Sequence, residues 1–205
     1  MLYKETVFES TLDLLREIQR IPDLADLRLV GGTALSLQLG HRASVDIDLF
    51  GKFDPAKSFR KVLADKGHAV EGAESGDVQT LVVDGVKVDL VNYPYEWISD
   101  AVGESGVKLA GLDDIVAMKL SAAANRGKKK DFIDIAVLLD RFSLEEMFAK
   151  YQRKFAVSEI AFALRGLTYF DDAEDDPMPK MFVPLTWNEV KKRIISAVQA
   201  FVKFV

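Results

Sequence analysis

Apolar positions recur with two different periods along this chain, and the change of period divides it. Up to about residue 106 short runs alternate apolar and polar residues, as strands do; from Leu112 onward the spacing is that of amphipathic helices. The opening segment, Thr6 to Ile21, sets Val7, Leu14, Leu15 and Ile18 at near-helical spacing and stops at Pro22. A short strand is predicted over Leu27–Val30, a tight turn at Gly31-Gly32-Thr33, a helix over Ala34–Leu39, and a strand through Ser44–Leu49. Asp54-Pro55 reads as a helix start, with the helix ending near Gly67, and a strand follows near His68–Glu71. Val78–Asp84 and Val86–Asn92 form a predicted hairpin, since Asp84-Gly85 between β-rich runs is a strong turn signal.

Beyond the change of period, helices are predicted over 112–124, 130–140, 143–153, 157–168 and 186–203. Residues 170–177, five of them acidic and the last Pro177, read as an exposed loop. Trp187, Val190, Ile194, Val198 and Phe201 read as a packing stripe, with Phe201, Val202, Phe204 and Val205 as an end that is buried or covered by a partner. The expected fold class is α+β: a small mixed sheet flanked by helices over residues 1–108, joined to a C-terminal helical lobe over 109–205.

The strand through Ser44–Leu49 carries the first candidate chemistry. Val45, Ile47 and Leu49 assign one face to the core, so Asp46 and Asp48 share the other, roughly 7 Å apart along the strand. Two carboxylates that close repel unless a cation lies between them. In the second hairpin arm Val86, Val88 and Leu90 face one way and Lys87, Asp89 and Val91 the other; beside the Asp46/Asp48 strand in matching register, Asp89 becomes a third carboxylate. The plain alternatives are a solvated strand edge or a calcium loop for the pair, and an exposed polar face for Asp89. Upstream, Gly31 and Gly32 let the backbone approach a ligand closely. The amides opening the next helix form an anion site, to which Thr33 adds a hydroxyl. Ser44 points to the carboxylate face, and it or Arg42 holds a phosphate oxygen or a simple surface partner.

Composition narrows the ligands. With no cysteine, disulfides, thiolate metal sites and thiol catalysis are excluded, and His41 and His68, without partners at catalytic spacing, read as structural or exposed. Oxygen ligands remain, which favour Mg2+ or Mn2+. No apolar run reaches membrane-spanning length and the start lacks the order of a secretory signal, so a cytoplasmic location is expected. The net charge of -5 argues against indiscriminate nucleic-acid binding and leaves room for a local basic groove.

Gly31-Gly32-Thr33-Ala34-Leu35, His41-Arg42-Ala43-Ser44 and Asp46-Ile47-Asp48-Leu49-Phe50 together resemble the first motif of the AbiEii/AbiGii toxin-like nucleotidyltransferases, within the polymerase-beta-type superfamily. Asp114–Leu120 and Arg126–Asp134 are similar to that family's lysine-bearing helix and its R-G-x-x-K-D-x-x-D turn. The resemblance implies a nucleotidyltransferase fold and Mg2+-dependent transfer of a nucleoside monophosphate from a nucleoside triphosphate (NTP) to an acceptor hydroxyl. Asp46, Asp48 and Asp89 are then the metal ligands, with Asp89 also taking the acceptor's proton. Lys119, otherwise a charge snorkelling out of an apolar helical stretch, is assigned by the resemblance to the triphosphate. Arg126–Lys130 is either a helix C-terminal cap centred on Gly127 or a contact for triphosphate or RNA. Asp131, favoured over Asp134, orients Lys119 or meets the nucleotide.

The implied setting is a toxin–antitoxin pair, with a cognate antitoxin as partner and tRNA as acceptor. Longer members of the family carry more C-terminal sequence than this chain, a departure that bears on the RNA acceptor. The rival readings are a nucleotide-binding interaction module without transfer, and a transferase acting on a small molecule or a protein hydroxyl.

Overall fold

The structure is a computed structural model that describes residues 1–156 and 159–204, the side chain of Phe204 excepted. It divides into two compact units, Met1–Pro94 with Ala101–Ala110, and Tyr95–Asp100 with Gly111 onward.

The first unit is built on a seven-stranded mixed sheet. In chain order it contains α1 (Glu9–Gln19), β1 (Arg28–Leu29), α2 (Gly31–Leu39), β2 (Ile47–Gly51), α3 (Phe59–Ala64), β3 (Val70–Ser75), β4 (Val78–Val83), β5 (Val86–Asn92), β6 (Val102–Glu104) and β7 (Val107–Leu109). The strands lie in the order β3-β4-β5-β2-β1-β7-β6. β2 runs parallel to β5 and antiparallel to β1, which is in turn parallel to β7. Leu29, Ile47, Leu49, Leu81, Val88, Leu90 and Leu109 are fully buried, and Leu15 and Ile18 of α1 and Leu35 and Leu37 of α2 belong to the same unit's core.

The β4–β5 hairpin turns at Asp84 (φ 49°) and Gly85 (φ 82°), a pair of left-handed residues whose twist matches the flanking strands. Ser105 (φ 57°) and Gly106 (φ 80°) turn the β6–β7 hairpin in the same way. That second hairpin is absent from the sequence reading, because three-residue strands are too short to show a period.

Four expectations are corrected in this unit. β2 starts at Ile47, and Val45 is 50% exposed rather than on the core face: residues before Ile47 leave the sheet, with the Ser44 amide bonded to the Thr6 carbonyl. α1 ends at Gln19 because Pro22 opens a separate 3-10 turn, Pro22–Leu24. The helix expected from Asp54-Pro55 begins instead at Phe59, where the Ser58 hydroxyl accepts from the Lys61 amide and Gln79 accepts from the Phe59 amide. The Asp54 carboxylate turns back onto the Ala56 amide and closes a turn in its place. The strand near His68 runs from Val70 to Ser75 and pairs along its whole length with β4.

The second unit is helical: α4 (Leu112–Asn125), α5 (Lys129–Leu138), α6 (Leu144–Lys154), α7 (Ile160–Thr168) and α8 (Trp187–Phe204). The first two residues of the helix expected over 157–168 lie outside the described residues. Ser143 and Glu146 form a reciprocal capping box at the start of α6. α7 crosses α4 closely at Gly166, where a Cβ would stand 2.5 Å from the Ala124 Cα. Along α8, Val190 and Ile194 are buried, whereas Val198 and Phe201 are half-buried, with the Phe201 ring against Phe148. The Phe204 side chain and Val205 lie outside what is described.

Segment Tyr95–Asp100 joins this unit through a buried acid. The Asp114 carboxylate accepts from the amides of Ile98 and Ser99, the Ser99 hydroxyl and Lys154 Nζ, and Lys154 also donates to the Glu96 carbonyl. These long-range bonds tie residues 95–100 to the helices that follow Gly111. Residues 170–177 are likewise not a free loop. Phe170 and Ala173 are buried, Lys129 Nζ donates to the Glu174 and Asp176 carbonyls, and Glu174 accepts from Trp187 Nε1 and Lys191. Cations from elsewhere in the unit offset the mutual repulsion of those acids.

Candidate active site

Strand register builds the site. In the parallel β2–β5 pair Asp48 stands directly beside Asp89, so both side chains leave the same face on neighbouring strands, about 4.8 Å apart at the backbone. Asp46 precedes β2 by one residue and sits two positions before Asp48. On the other side of β2, β1 pairs Leu29 with Leu49 and the Val30 amide donates to the Asp48 carbonyl (2.8 Å). The chain therefore reaches Gly31 beside Asp48. Gly31 has φ +68°, and a Cβ there would lie 2.2 Å from Asp48 Oδ2. Only glycine satisfies both the left-handed backbone and the close approach.

The rest of the turn gathers its predicted neighbours. A Cβ on Gly32 would meet Arg42 Nη2 at 2.5 Å and Ser44 Oγ at 3.1 Å, so both side chains close over the start of α2. Arg42 is buried and donates to the Ala43 carbonyl. Thr33, also buried, lies 2.9 Å from Ser44 Oγ and donates to the Asp46 carbonyl (2.5 Å). Its single hydroxyl proton thus positions the backbone at Asp46, a task the sequence did not reveal. Gly31, Gly32, Thr33, Arg42, Ser44, Asp46, Asp48 and Asp89 all belong to one neighbourhood of the sheet unit.

Lys87, on the same strand face as Asp89, donates to Asp89 Oδ2. Burial works against its charge, but the bond to Asp89 and the attraction of Asp89, Asp48 and Asp46 outweigh it and hold the ammonium pKa above its ordinary value. Asp89 Oδ1 is buried and has no hydrogen-bond partner in the protein. Among the described residues no three acidic or imidazole groups are already drawn to metal-ligating distance of one point. Carboxylate oxygens are the donor type a hard divalent ion takes, and Asp89 Oδ1 is a buried oxygen of that type left without a protein donor. The two histidines are elsewhere: His41 is buried, and His68 contacts Asp84 (2.6 Å) at the hairpin turn.

A second constellation lies within the helical unit. Lys119 of α4 is 3% exposed, with Nζ 2.6 Å from Asp134 and 3.2 Å from Asp131, both on α5. Asp131 also accepts two bonds from Arg126, at 2.8 and 2.9 Å. Burial pushes the Asp131 pKa up, but the Arg126 bonds and the charges of Lys119 and Arg126 prevail and hold it below the usual carboxylate value. Gly127, at φ +50°, makes the left-handed turn between the two helices. Asp134 grips Lys119 at shorter range than Asp131 does, which the i, i+3 spacing on one helix face permits. Within the basic run, Lys128 and Lys129 are engaged by Asp176 and the loop behind it, a structural use of those charges.

With the glycine turn against the carboxylates and the lysine held by the K-D-x-x-D acids, comparison with known proteins decides the family. A family model described as "Nucleotidyl transferase AbiEii toxin, Type IV TA system" matches residues 13–204. The chain belongs to this AbiEii family. An uncharacterized protein of Aquifex aeolicus is 31% identical over 176 residues, covering 82% of this chain and 84% of that one. Among solved structures, an H. pylori protein described as a candidate nucleotidyltransferase superposes with a TM-score of 0.60 at 17% identity, over 96% of each chain. MenT4, a nucleotidyltransferase toxin of Mycobacterium tuberculosis, gives 0.54 at 15% identity, over 92% of this chain and 82% of its own. These neighbours share the fold. AbiEii membership makes the chain a nucleotidyltransferase of toxin type, with an NTP as substrate and an antitoxin as the family's partner. Among the described residues no helix is long and apolar enough to cross a membrane.

Proposed function

We propose that this AbiEii chain transfers a nucleoside monophosphate from an NTP to the acceptor end of tRNA, in the cytoplasm, with Mg2+ or Mn2+ held by Asp46, Asp48 and Asp89. The observation that carries this reading is the Asp48–Asp89 register with the Asp48 carboxylate packed on Gly31. When bound, two divalent ions stabilise the attacking and leaving oxygens of an in-line displacement at phosphorus. The chain's own groups do the rest. The amides opening α2 receive a phosphate oxygen, with Arg42 and Ser44 packed against Gly32 at the same helix start. Asp89 Oδ1, without a protein donor, accepts the proton of the attacking hydroxyl as the new O–P bond forms and pyrophosphate leaves. Lys119 is committed within the helical unit to Asp131 and Asp134, so its assignment to the triphosphate rests on the family resemblance alone. The tRNA acceptor rests on the family resemblance.

The test is incubation with each α-labelled NTP, Mg2+ and total RNA or protein, beside Asp48→Asn. Label entering the tRNA fraction with wild type, and falling by roughly 10²–10³-fold in the variant, is the expected result. Label on protein would move the acceptor. Equal label from both proteins would remove Asp48 from the chemistry, and no label in any fraction would favour a nucleotide-binding module.

A further inference from the structure

Lys87 has no part in the chemistry above, yet it stands inside the carboxylate cluster. It precedes Asp89 by two residues on β5, so the two side chains leave the same face. The parallel register sets Asp89 beside Asp48, so Lys87 stands on the strand face that this carboxylate pair shares. Its ammonium is bonded to Asp89 Oδ2 and lies in the field of Asp46 and Asp48 as well.

A simple surface ion pair would explain the bond to Asp89, but not the remaining facts together. The Lys87 side chain is 48% exposed and has water within reach, whereas Asp89 is 20% exposed and keeps its other oxygen buried without a protein partner. A lysine stem is long and flexible, and its ammonium is a compact charge that exchanges readily between a carboxylate and water. Such a group offsets the repulsion among three neighbouring acids and can leave when another cation arrives.

We propose that Lys87 is a tethered cation that holds the Asp89 side of the carboxylate cluster and swings out to solvent when a divalent ion binds there, so that it sets the metal affinity of the site. This rests on the reading of Asp46, Asp48 and Asp89 as metal ligands. A dication on Asp89 and an ammonium on the same carboxylate repel at short range, so one displaces the other. Metal entry at Asp89 thereby requires the departure of Lys87.

Mn2+ is the probe, its free concentration read by electron paramagnetic resonance with the full chain. Lys87→Met is expected to bind Mn2+ about fivefold or more tightly than wild type, and Lys87→Arg, which keeps the charge, to stay near wild type. Wild type itself supplies a second readout free of any folding defect. Competitive acetylation of Lys87, measured by mass spectrometry, should rise when Mn2+ is added, with Lys108, bonded to the Ala25 carbonyl and Asp26, as the unchanged reference. Mn2+ binding that depends on Asp48 but is indifferent to Lys87→Met, or Lys87 labelling that Mn2+ leaves unchanged, overturns the inference alone. Absence of Mn2+ binding by wild type and Lys87→Met alike overturns it together with the metal reading.

Discussion

Two clusters in this protein use the same residue types for opposite ends. In the helical unit Lys119, Asp131 and Asp134 are almost wholly buried and Arg126 completes the set. In the sheet unit Lys87 pairs with Asp89, but both remain partly exposed and a carboxylate oxygen is left without a protein donor. The first arrangement is locked, because breaking it would strand charge away from water. The second is exchangeable, because either partner can be replaced by a cation or by solvent. A lysine among acids is therefore fixed in one place and exchangeable in the other, and what separates them is burial together with an unmet oxygen.

The largest effect that would break this contrast is thermodynamic. Lys119→Met, which removes one partner of a buried network, is expected to cost about 3–5 kcal/mol in chemical denaturation. Asp48→Asn, at a half-buried position, should change stability by less than about 1 kcal/mol while losing transfer activity. Similar stability losses in both variants would erase the distinction.

Gly31→Ala comes next. The left-handed φ and the 2.2 Å approach to Asp48 Oδ2 leave no place for a methyl group. A loss of about 1–2 kcal/mol is expected from the backbone alone. Displacement of the Asp48 carboxylate should lower label transfer about 100-fold, and the pairing of β1 with β2 should survive. Wild-type activity in this variant would mean that the turn and the carboxylate do not act together.

The smallest effect is on acid stability. The Asp131 pKa is held below its ordinary value, so as pH falls through about 4 the unfolded chain takes up this proton before the folded one. Its contribution to stability is complete above that pH and is lost progressively below it, as the pH falls through the folded value. Denaturation midpoints measured between about pH 6 and pH 3 should fall less steeply for Asp131→Asn, at lower absolute stability. Parallel curves would show that Arg126 and Lys119 do not hold the charge.

What was legible in the sequence follows from the range of the interactions involved. The Asp84-Gly85 turn, the left-handed Gly127 and the helices from Leu112 onward depend on neighbouring residues, and the sequence reading names them. The same-face reading of Asp46 and Asp48 rests on a strand period that holds only from Ile47 onward, since Asp46 precedes β2 and Val45 is exposed. Asp89 required a register between strands some forty residues apart, which the sequence supports only as a conditional. The docking of 95–100 by Asp114 and Lys154, the folding of 170–177 onto Lys129, and the engagement of Lys119 by Asp134 are contacts that no local pattern encodes. Lys87 was visible on the Asp89 face, but its meaning needed the orphaned oxygen beside it.

The most direct measurement is a crystal structure of the protein soaked with Mn2+ and a non-hydrolysable NTP, with anomalous scattering used to place the metal. The account predicts a Mn2+ peak about 2.1 Å from carboxylate oxygens of Asp48 and Asp89, with phosphate oxygens beside Gly31 and Gly32. Manganese bound away from β2 and β5, with those carboxylates uncoordinated, would contradict it.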